Sequence, residues 1–343
     1  MAERSTFSDI AALAGVGIAT VDRVLNERGH VSQATALRVV QAARALNLRR
    51  VLPALTHRLL RIEVLLARPE LPLIGRISRE FGRQAARIDK SVIIERTLLR
   101  SDDPRIFAQA IRASRADAII AYTQAHPLIH QAIAAAAVRG AAFITMFSDL
   151  PDSQRYAYVG TDHYAAGRTA GLFMARFLRR VGPILVLCHH FGFVAHQQRV
   201  MGFRDAMARY GHGEAISEII EGNDDAELSE SLLRHAFRMR GDVVGLYNVG
   251  AANDACGLAL KAGLLRELPV FIGHELTAES RPLLRDGTMA LVIDQDPEHQ
   301  ASLALDIILR RFGTEPCEPR RPYTANLAFR LFTAENFEDA PSD

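Results

Sequence analysis

From Arg61 onward, short apolar runs rich in branched side chains alternate with longer stretches whose apolar positions recur every three to four residues. The runs near Ile62–Ala67, Val92–Thr97, Ala118–Tyr122, Ala141–Phe147, Tyr156–Thr161, Ile184–Cys188, Val243–Tyr247, Val270–Gly273 and Met289–Ile293 predict strands. The intervening stretches Ile106–Ser114, His126–Arg139, Tyr164–Arg179, Gln197–Tyr210, Leu228–Met239, Ala255–Ala262 and Glu298–Phe312 predict helices. Strands that are mostly apolar and separated by helices imply parallel sheets covered on both faces. A body of about 280 residues is large for one such sheet, so two α/β lobes are expected, changing over near Gly160.

The first sixty residues follow a different pattern. The run Ser8–Asn26 reads as two short helices around a tight turn, with Ser8 as N-cap and Asp9 suited to the positive end of the helix dipole. Gly15 supplies the left-handed backbone that ends the first helix. Ala11, Gly15 and Val21 stand at the spacing of a helix-turn-helix, with Val21 and Leu25 packing inward. A third helix runs from Ser32, its N-cap, to about Asn47, with Leu37, Val40, Ala43 and Leu46 facing in. Gly15–Thr20 begins like a dinucleotide fingerprint, but Thr20 replaces its last glycine and a helix precedes it where a strand is required.

Charge sharpens this division. The 343-residue chain carries a net +2, yet the segment through Arg61 holds nine arginines against Glu3, Asp9, Asp22 and Glu27, which is +5 and leaves −3 for the rest. A basic head on a faintly acidic body is the balance of a nucleic-acid-binding module fused to another domain. The three cysteines, Cys188, Cys256 and Cys317, make neither a disulfide framework nor a zinc knuckle. No run reaches the roughly 18 apolar residues of a membrane helix, and Ile10–Val21 lacks the flanks of a signal peptide. A cytoplasmic protein is expected.

The run Thr6–Asn26, followed by V31-S-Q-A-T35 and L46-N-L48, resembles the DNA-binding head of the lac repressor (LacI/GalR) family of bacterial transcription regulators. The resemblance covers about the first fifty residues and implies a head over 1–50 whose second helix enters the major groove. It places Ile18, Ala19 and Arg23 at base edges and Thr20, Asn26 and Ser32 at phosphates. Arg23 can bond two guanine acceptors at once, whereas Ile18 and Ala19 offer apolar contacts such as to a thymine methyl. Gly17 and Asp22 depart from the family, which commonly carries serine at both. Asp22 has two open readings, a salt bridge to a neighbouring arginine or a hydrogen bond from a cytosine amino group. The family's hinge helix corresponds to the linker 51–60, where Leu52 or Leu55 would be the minor-groove wedge. Pro53 opposes a continuous helix there.

In a two-lobed parallel-sheet body, ligands bind beyond the carboxyl ends of the strands. Polar residues past those ends are Asp149 in Met146–Leu150, Arg199 in the helix opening at Gln197, Asn253 and Asp254, His274 and Glu275, and Asp294, Gln295 and Asp296. Their paired donors and acceptors suit vicinal hydroxyls. Phe81, Phe147, Phe193 and Tyr247 are candidate ring-covering surfaces, with core packing the default role of each. The segments Tyr158–Arg168, Arg199–Phe203, Ile272–Glu275 and Val292–Pro297 resemble the type I periplasmic sugar-binding fold that the same regulators use as effector domain. The resemblance carries sugar contacts onto Arg199, Asn253, Glu275 (an aspartate in the family) and Gln295, with Ser148 and Asp149 as the polar strand end of the first lobe. It also implies a body over 61–343: lobe 1 at about 61–159 plus 294–319, and lobe 2 at about 160–293 plus the C-terminal segment.

The expected fold is therefore an all-α helix-turn-helix head followed by a two-lobed α/β body. The expected protein is a sequence-specific regulator, a repressor, acting as a homodimer on a pseudo-palindromic DNA operator, with a small carbohydrate or polyol as effector between the lobes. The competing reading is a sugar-binding protein or sugar-metabolising enzyme with a helical interaction module. No nucleophile elbow or phosphate loop occurs, so neither enzyme nor cofactor is expected. Cys188-His189-His190 and the pair His126 and His130 invite a metal reading; the latter are i, i+4 on a helix with no third ligand at suitable spacing, and no metal is expected.

Overall fold

The computed structural model describes residues 6–26, 28, 31–46, 48, 59–88, 91–312 and 323–338. The head has three helices, α1 (Phe7–Ala14), α2 (Ile18–Leu25) and α3 (Gln33–Ala45). Their core joins Ile10, Ala11 and Ala14 to Val21, Val24, Leu25, Val39, Val40 and Ala43. Gly15 ends α1 at φ 63°, the left-handed conformation that a side chain disfavours. The N-cap of α1 is Thr6 rather than Ser8. Thr6 and Asp9 form a reciprocal capping box, Thr6 N–H to Asp9 Oδ2 at 2.7 Å and Asp9 N–H to Thr6 Oγ1 at 3.3 Å. The threonine hydroxyl and the acid at the third helical position each satisfy one free backbone donor, which Ser8 alone cannot do. Ser32 caps α3 through a 3.3 Å bond from Thr35 N–H. The side chain of Leu37 lies outside the described residues.

The body holds two parallel-rich six-stranded sheets. The first lobe builds β1 (Leu60–Ala67), α4 (Pro72–Arg87), β2 (Val92–Leu99), α5 (Pro104–Ala113), β3 (Ala118–Ala121), α6 (Pro127–Val138), β4 (Ala142–Met146) and β5 (Ala157–Thr161). The chain then crosses at Asp162, which caps the first helix of the second lobe by accepting from Ala165 N–H at 2.8 Å. That lobe builds α7 (His163–Phe177), β6 (Ile184–Cys188), α8 (Val194–Arg209), β7 (Ile216–Glu221), α9 (Ala226–Met239), β8 (Gly245–Asn248), α10 (Asn253–Leu260), β9 (Val270–His274), α11 (Ser280–Arg285) and β10 (Leu291–Asp294). α12 (Pro297–Phe312) returns to the first lobe, where Ser302 Oγ accepts from Gln84 of α4 at 3.1 Å. β11 (Tyr323–Leu327) and β12 (Arg330–Phe332) close the two sheets.

Strand order is β11-β5-β4-β3-β1-β2 in one sheet and β12-β10-β9-β8-β6-β7 in the other, with only β12 antiparallel to its neighbour among the described pairings. The central strands β3, β4, β5, β6 and β8 are buried at every position, as continuous apolar runs require when helices cover both faces. The return segment expected to end near 319 carries on through β11 in the first sheet, so the last crossing falls between Leu327 and Arg330. Five of the helices and strands named above have no counterpart among those predicted from the sequence: α4, α11, β7, β11 and β12. α4 carries Gly75 and Gly82, which weaken a helical signal. β7 is a sheet-edge strand with one buried position. No helix among the described residues is long and apolar enough to cross a membrane.

Candidate functional site

On the head, α2 buries Val21, Val24 and Leu25. Its other face presents Ile18, which is 54% exposed, together with exposed Ala19 and Arg23 and half-buried Thr20 and Asn26. Ser32 is exposed at the start of α3. Of the two readings of Asp22, neither describes its contact within the head: Oδ1 accepts a 2.6 Å hydrogen bond from Asn26 Nδ2, one turn on. Gly17 gives α2 no side-chain cap. Leu52 and Leu55, and Pro53 between them, lie outside the described residues.

In the body, the carboxyl ends of both sheets meet at a cleft. Leu71, Pro72, Tyr122 and Phe147 line it from the first lobe; His196, Arg199, Asp224, Asn253, His274, Glu275 and Gln295 line it from the second. Four of the six residues expected at the effector site therefore share this cleft. Gln295 Nε2 donates to Glu275 Oε1 at 2.6 Å, and Arg199 Nη2 lies 4.0 Å from the same oxygen. Asn253 donates to the His274 carbonyl at 2.7 Å and accepts from Asn248 at 2.8 Å, which fixes its amide.

Arg199 owes its place to a close helix crossing. A Cβ on Gly167 of α7 would run into the Arg199 carbonyl oxygen, and one on Gly202 of α8 would run into the Tyr164 carbonyl oxygen. Glycine at both positions lets the two backbones touch and brings the arginine to the cleft wall. Its Nη1 donates to the Val249 carbonyl at 2.8 Å and its Nε to His163 Nδ1 at 3.2 Å.

Ser148 and Asp149 do not line the cleft. Ser148 is buried and its Oγ accepts from Ala195 N–H at 3.3 Å, a bond between the lobes. Asp149 pairs with Arg155, through a short contact to Nε and a 2.7 Å bond to Nη2, and also accepts from Leu150 N–H. A buried arginine six residues on claims the carboxylate, a demand that the strand-end position alone does not reveal. Phe147, at φ 61°, turns its ring to the cleft and meets Tyr122 edge-on at 5.5 Å. Phe193 packs on Tyr122, His189 and His196, whereas Tyr247 stacks on Phe203 in the core and Phe81 is buried.

Burial governs the electrostatics of the cleft. It drives His163, His196 and His274 well below the ordinary imidazole range, and the Arg199 charge adds to the effect, so all three rings are neutral near pH 7. Burial and then the Asp294 charge push Glu275 up to about 8 against the pull of Arg199. Asp224 is also raised by burial. Glu275 Oε2, Gln295 Oε1 and the Nδ1 atoms of His196 and His274 have no hydrogen-bond partner among the described residues. Such groups cost free energy unless a ligand or water meets them. His274 stands among the strand-end candidates of the sequence, whereas His196, Asp224 and Tyr122 do not; Asp224 sits just beyond a strand end, the one signal that points to it.

The chain matches two family models, "Bacterial regulatory proteins, lacI family" over residues 6–50 and "Periplasmic binding protein domain" over 105–313. Among curated proteins it is 25% identical over 183 residues to a D-ribose/D-allose-binding protein of Pseudomonas aeruginosa, a match covering 52% of this chain and 55% of that one. The chain thus spans about half the length of the curated relative it matches. Among solved structures, an ABC transporter solute binding protein from Burkholderia graminis C4D1M in complex with D-arabinose is 19% identical with a TM-score of 0.73, covering 81% of this chain and 97% of that one. A Caulobacter myo-inositol binding protein bound to myo-inositol is 18% identical with a TM-score of 0.71, covering 85% and 98%. At these identities the structural likeness establishes the fold of the body. A head of the lacI type joined to a body of this fold defines the family: the chain belongs to the lacI family of bacterial regulatory proteins, with a periplasmic binding protein domain as its body.

Proposed function

We propose that the protein is a cytoplasmic, sequence-specific transcriptional repressor that binds a pseudo-palindromic operator as a homodimer and releases or tightens it when a small uncharged carbohydrate or polyol enters the cleft. The observation that carries this reading is the convergence of Arg199, Asn253, Glu275 and Gln295 on one cleft with ring faces from Tyr122 and Phe147. Donors and acceptors in that number address several hydroxyls, and an apolar ring face covers the other side of a sugar. The sugars and the cyclic polyol named for the similar binding proteins agree with that chemistry. In the head, residues 1–50, Arg23 would read guanine, Ile18 and Ala19 would meet thymine methyls, and Thr20, Asn26 and Ser32 would hold phosphates. The linker 51–60 would join the two parts. Effector coupling of about 1–3 kcal/mol, a 5- to 150-fold change in operator affinity, suffices for a switch.

Thermal unfolding of the full chain against pentoses, hexoses, cyclic polyols and their phosphates tests the assignment. A ligand at about 100 times its Kd adds about 2.7 kcal/mol and raises the midpoint. The expected result is a shift with an unphosphorylated member that disappears in Arg199→Ala. A shift that survives in Arg199→Ala, or none across the panel, overturns the effector assignment.

A further inference from the structure

Beside the cleft, the two lobes bring together side chains that the sugar-binding residues do not use. Asp102, in the loop before α5 of the first lobe, faces His189 and His190, which follow β6 of the second lobe. His189 Nε2 lies 2.9 Å from Asp102 Oδ2 and His190 Nε2 lies 3.9 Å from the same oxygen. The two rings are 4.0 Å apart, and one ligand atom from each of the three residues falls within 4.8 Å of the others. A tetrahedral ion with bonds of about 2.0–2.2 Å separates its ligands by roughly 3.3–3.6 Å, a spacing inside this range.

A second observation points the same way. His189 is buried, and its Nδ1 has no hydrogen-bond partner among the described residues. It lies 3.8 Å from Asp224 Oδ2, whose other oxygen accepts from Ala251 N–H at 3.0 Å. A histidine that offers Nε2 to a metal and turns Nδ1–H toward a fixed carboxylate is the arrangement by which proteins orient ligating imidazoles. Asp102 and His190 remain about one quarter exposed, so the ion has a path from solvent.

We propose that Asp102, His189 and His190 form a site for a borderline divalent ion of the zinc class, with water completing the shell and Asp224 orienting His189. Its ligands come from both lobes, so the bound ion pins them together beside the effector cleft. His190 Nδ1 accepts a 2.9 Å bond from Gly192 N–H, so this ring carries its proton on Nε2. Taking the ion at Nε2 requires the other neutral tautomer: the single ring proton shifts from Nε2 to Nδ1 through solvent, and the Gly192 amide loses its acceptor. The Gly192 amide therefore reports directly on occupancy.

Equilibrium dialysis of the full chain with Zn²⁺, paired with visible spectra in Co²⁺, tests the site. The expected result is one equivalent bound at micromolar Zn²⁺, a tetrahedral Co²⁺ spectrum, faster exchange of the Gly192 amide, and at least 100-fold weaker binding in both Asp102→Asn and His190→Ala. His126→Ala, which removes half of the other spaced histidine pair, should bind as the parent does. Binding that persists in Asp102→Asn and His190→Ala, loss in His126→Ala instead, an octahedral Co²⁺ spectrum, or no binding below millimolar Zn²⁺ each overturns the assignment. The two cleft-lip variants alter partly exposed side chains, and their thermal unfolding without metal verifies that they fold.

Discussion

His163 and Arg199, thirty-six residues apart, are joined by a 3.2 Å hydrogen bond from the arginine Nε to the imidazole Nδ1. The other ring nitrogen, Nε2, donates to the carbonyl oxygen of Phe147, which lies in the first lobe and turns its own ring into the cleft. One neutral imidazole thus ties the principal cation of the cleft to a left-handed residue across the lobe boundary. A protonated ring could not accept from the guanidinium; burial and the Arg199 charge keep the ring neutral, and the Phe147 carbonyl holds its one proton on Nε2.

His163→Ala should weaken effector binding about 10- to 150-fold, the range for losing a hydrogen bond to a charged group. His163→Asn keeps an acceptor oxygen near the Nδ1 position and should recover part of the loss. Calorimetric titration of the two variants with the effector found by thermal screening checks this; equal affinity in parent and His163→Ala removes His163 from the account.

Glu275 gives a pH signature. Its carboxyl sits at about 8 in the folded chain against an ordinary 4.5, chiefly because it is buried. Between those values the folded state holds a proton that the unfolded chain has released, so stability falls as pH rises. Glu275→Gln removes this titration, and its stability relative to the parent should climb from about pH 5 to pH 8, at no more than about 1.4 kcal/mol per pH unit. Denaturant unfolding of both proteins across that window is the check, and a difference independent of pH contradicts the assignment.

Asp149 separates stability from binding. Arg155 is almost wholly buried, and Asp149→Ala strips its carboxylate partner. Breaking a buried pair by removing one member costs about 3–5 kcal/mol. Thermal unfolding should register that loss while effector affinity stays within about twofold; a large fall in affinity with little loss of stability would return Asp149 to the binding site.

On the head, Arg23 is the one outward-facing side chain of α2 that can bond a base pair at two points. Arg23→Ala should lower discrimination between operator and random DNA by about 1–3 kcal/mol and leave effector binding unchanged. Competition binding at fixed salt measures it, and full retention of selectivity would exclude α2 as the reading helix.

Much of this architecture is written in local pattern. The left-handed Gly15, the inward Val21 and Leu25, and the apolar strands of both sheets follow from spacing and side-chain type, because turn chemistry and two-sided burial each impose a recognisable order. Strand-end runs together with the family resemblance point to Asn253, Glu275 and Gln295, and the resemblance points to Arg199 inside α8; all four line the cleft. What escaped depends on partners distant in the chain. Asp149 looks like a ligand contact until Arg155 folds onto it, and Thr6 is an N-cap only because Asp9 reaches back. His196 and Asp102 matter through the helices and loops that surround them. α4, interrupted by two glycines, and β7, on a sheet edge, are held by tertiary packing more than by propensity.

In the proposed regulator, one molecule couples the cleft to DNA. Operator affinity of the full chain, titrated with the effector identified by thermal shift and repeated with Arg199→Ala, tests it most directly. The account predicts a 5- to 150-fold change in operator Kd that saturates with effector occupancy in the parent and vanishes in Arg199→Ala. An operator Kd that stays constant while the cleft fills would contradict it.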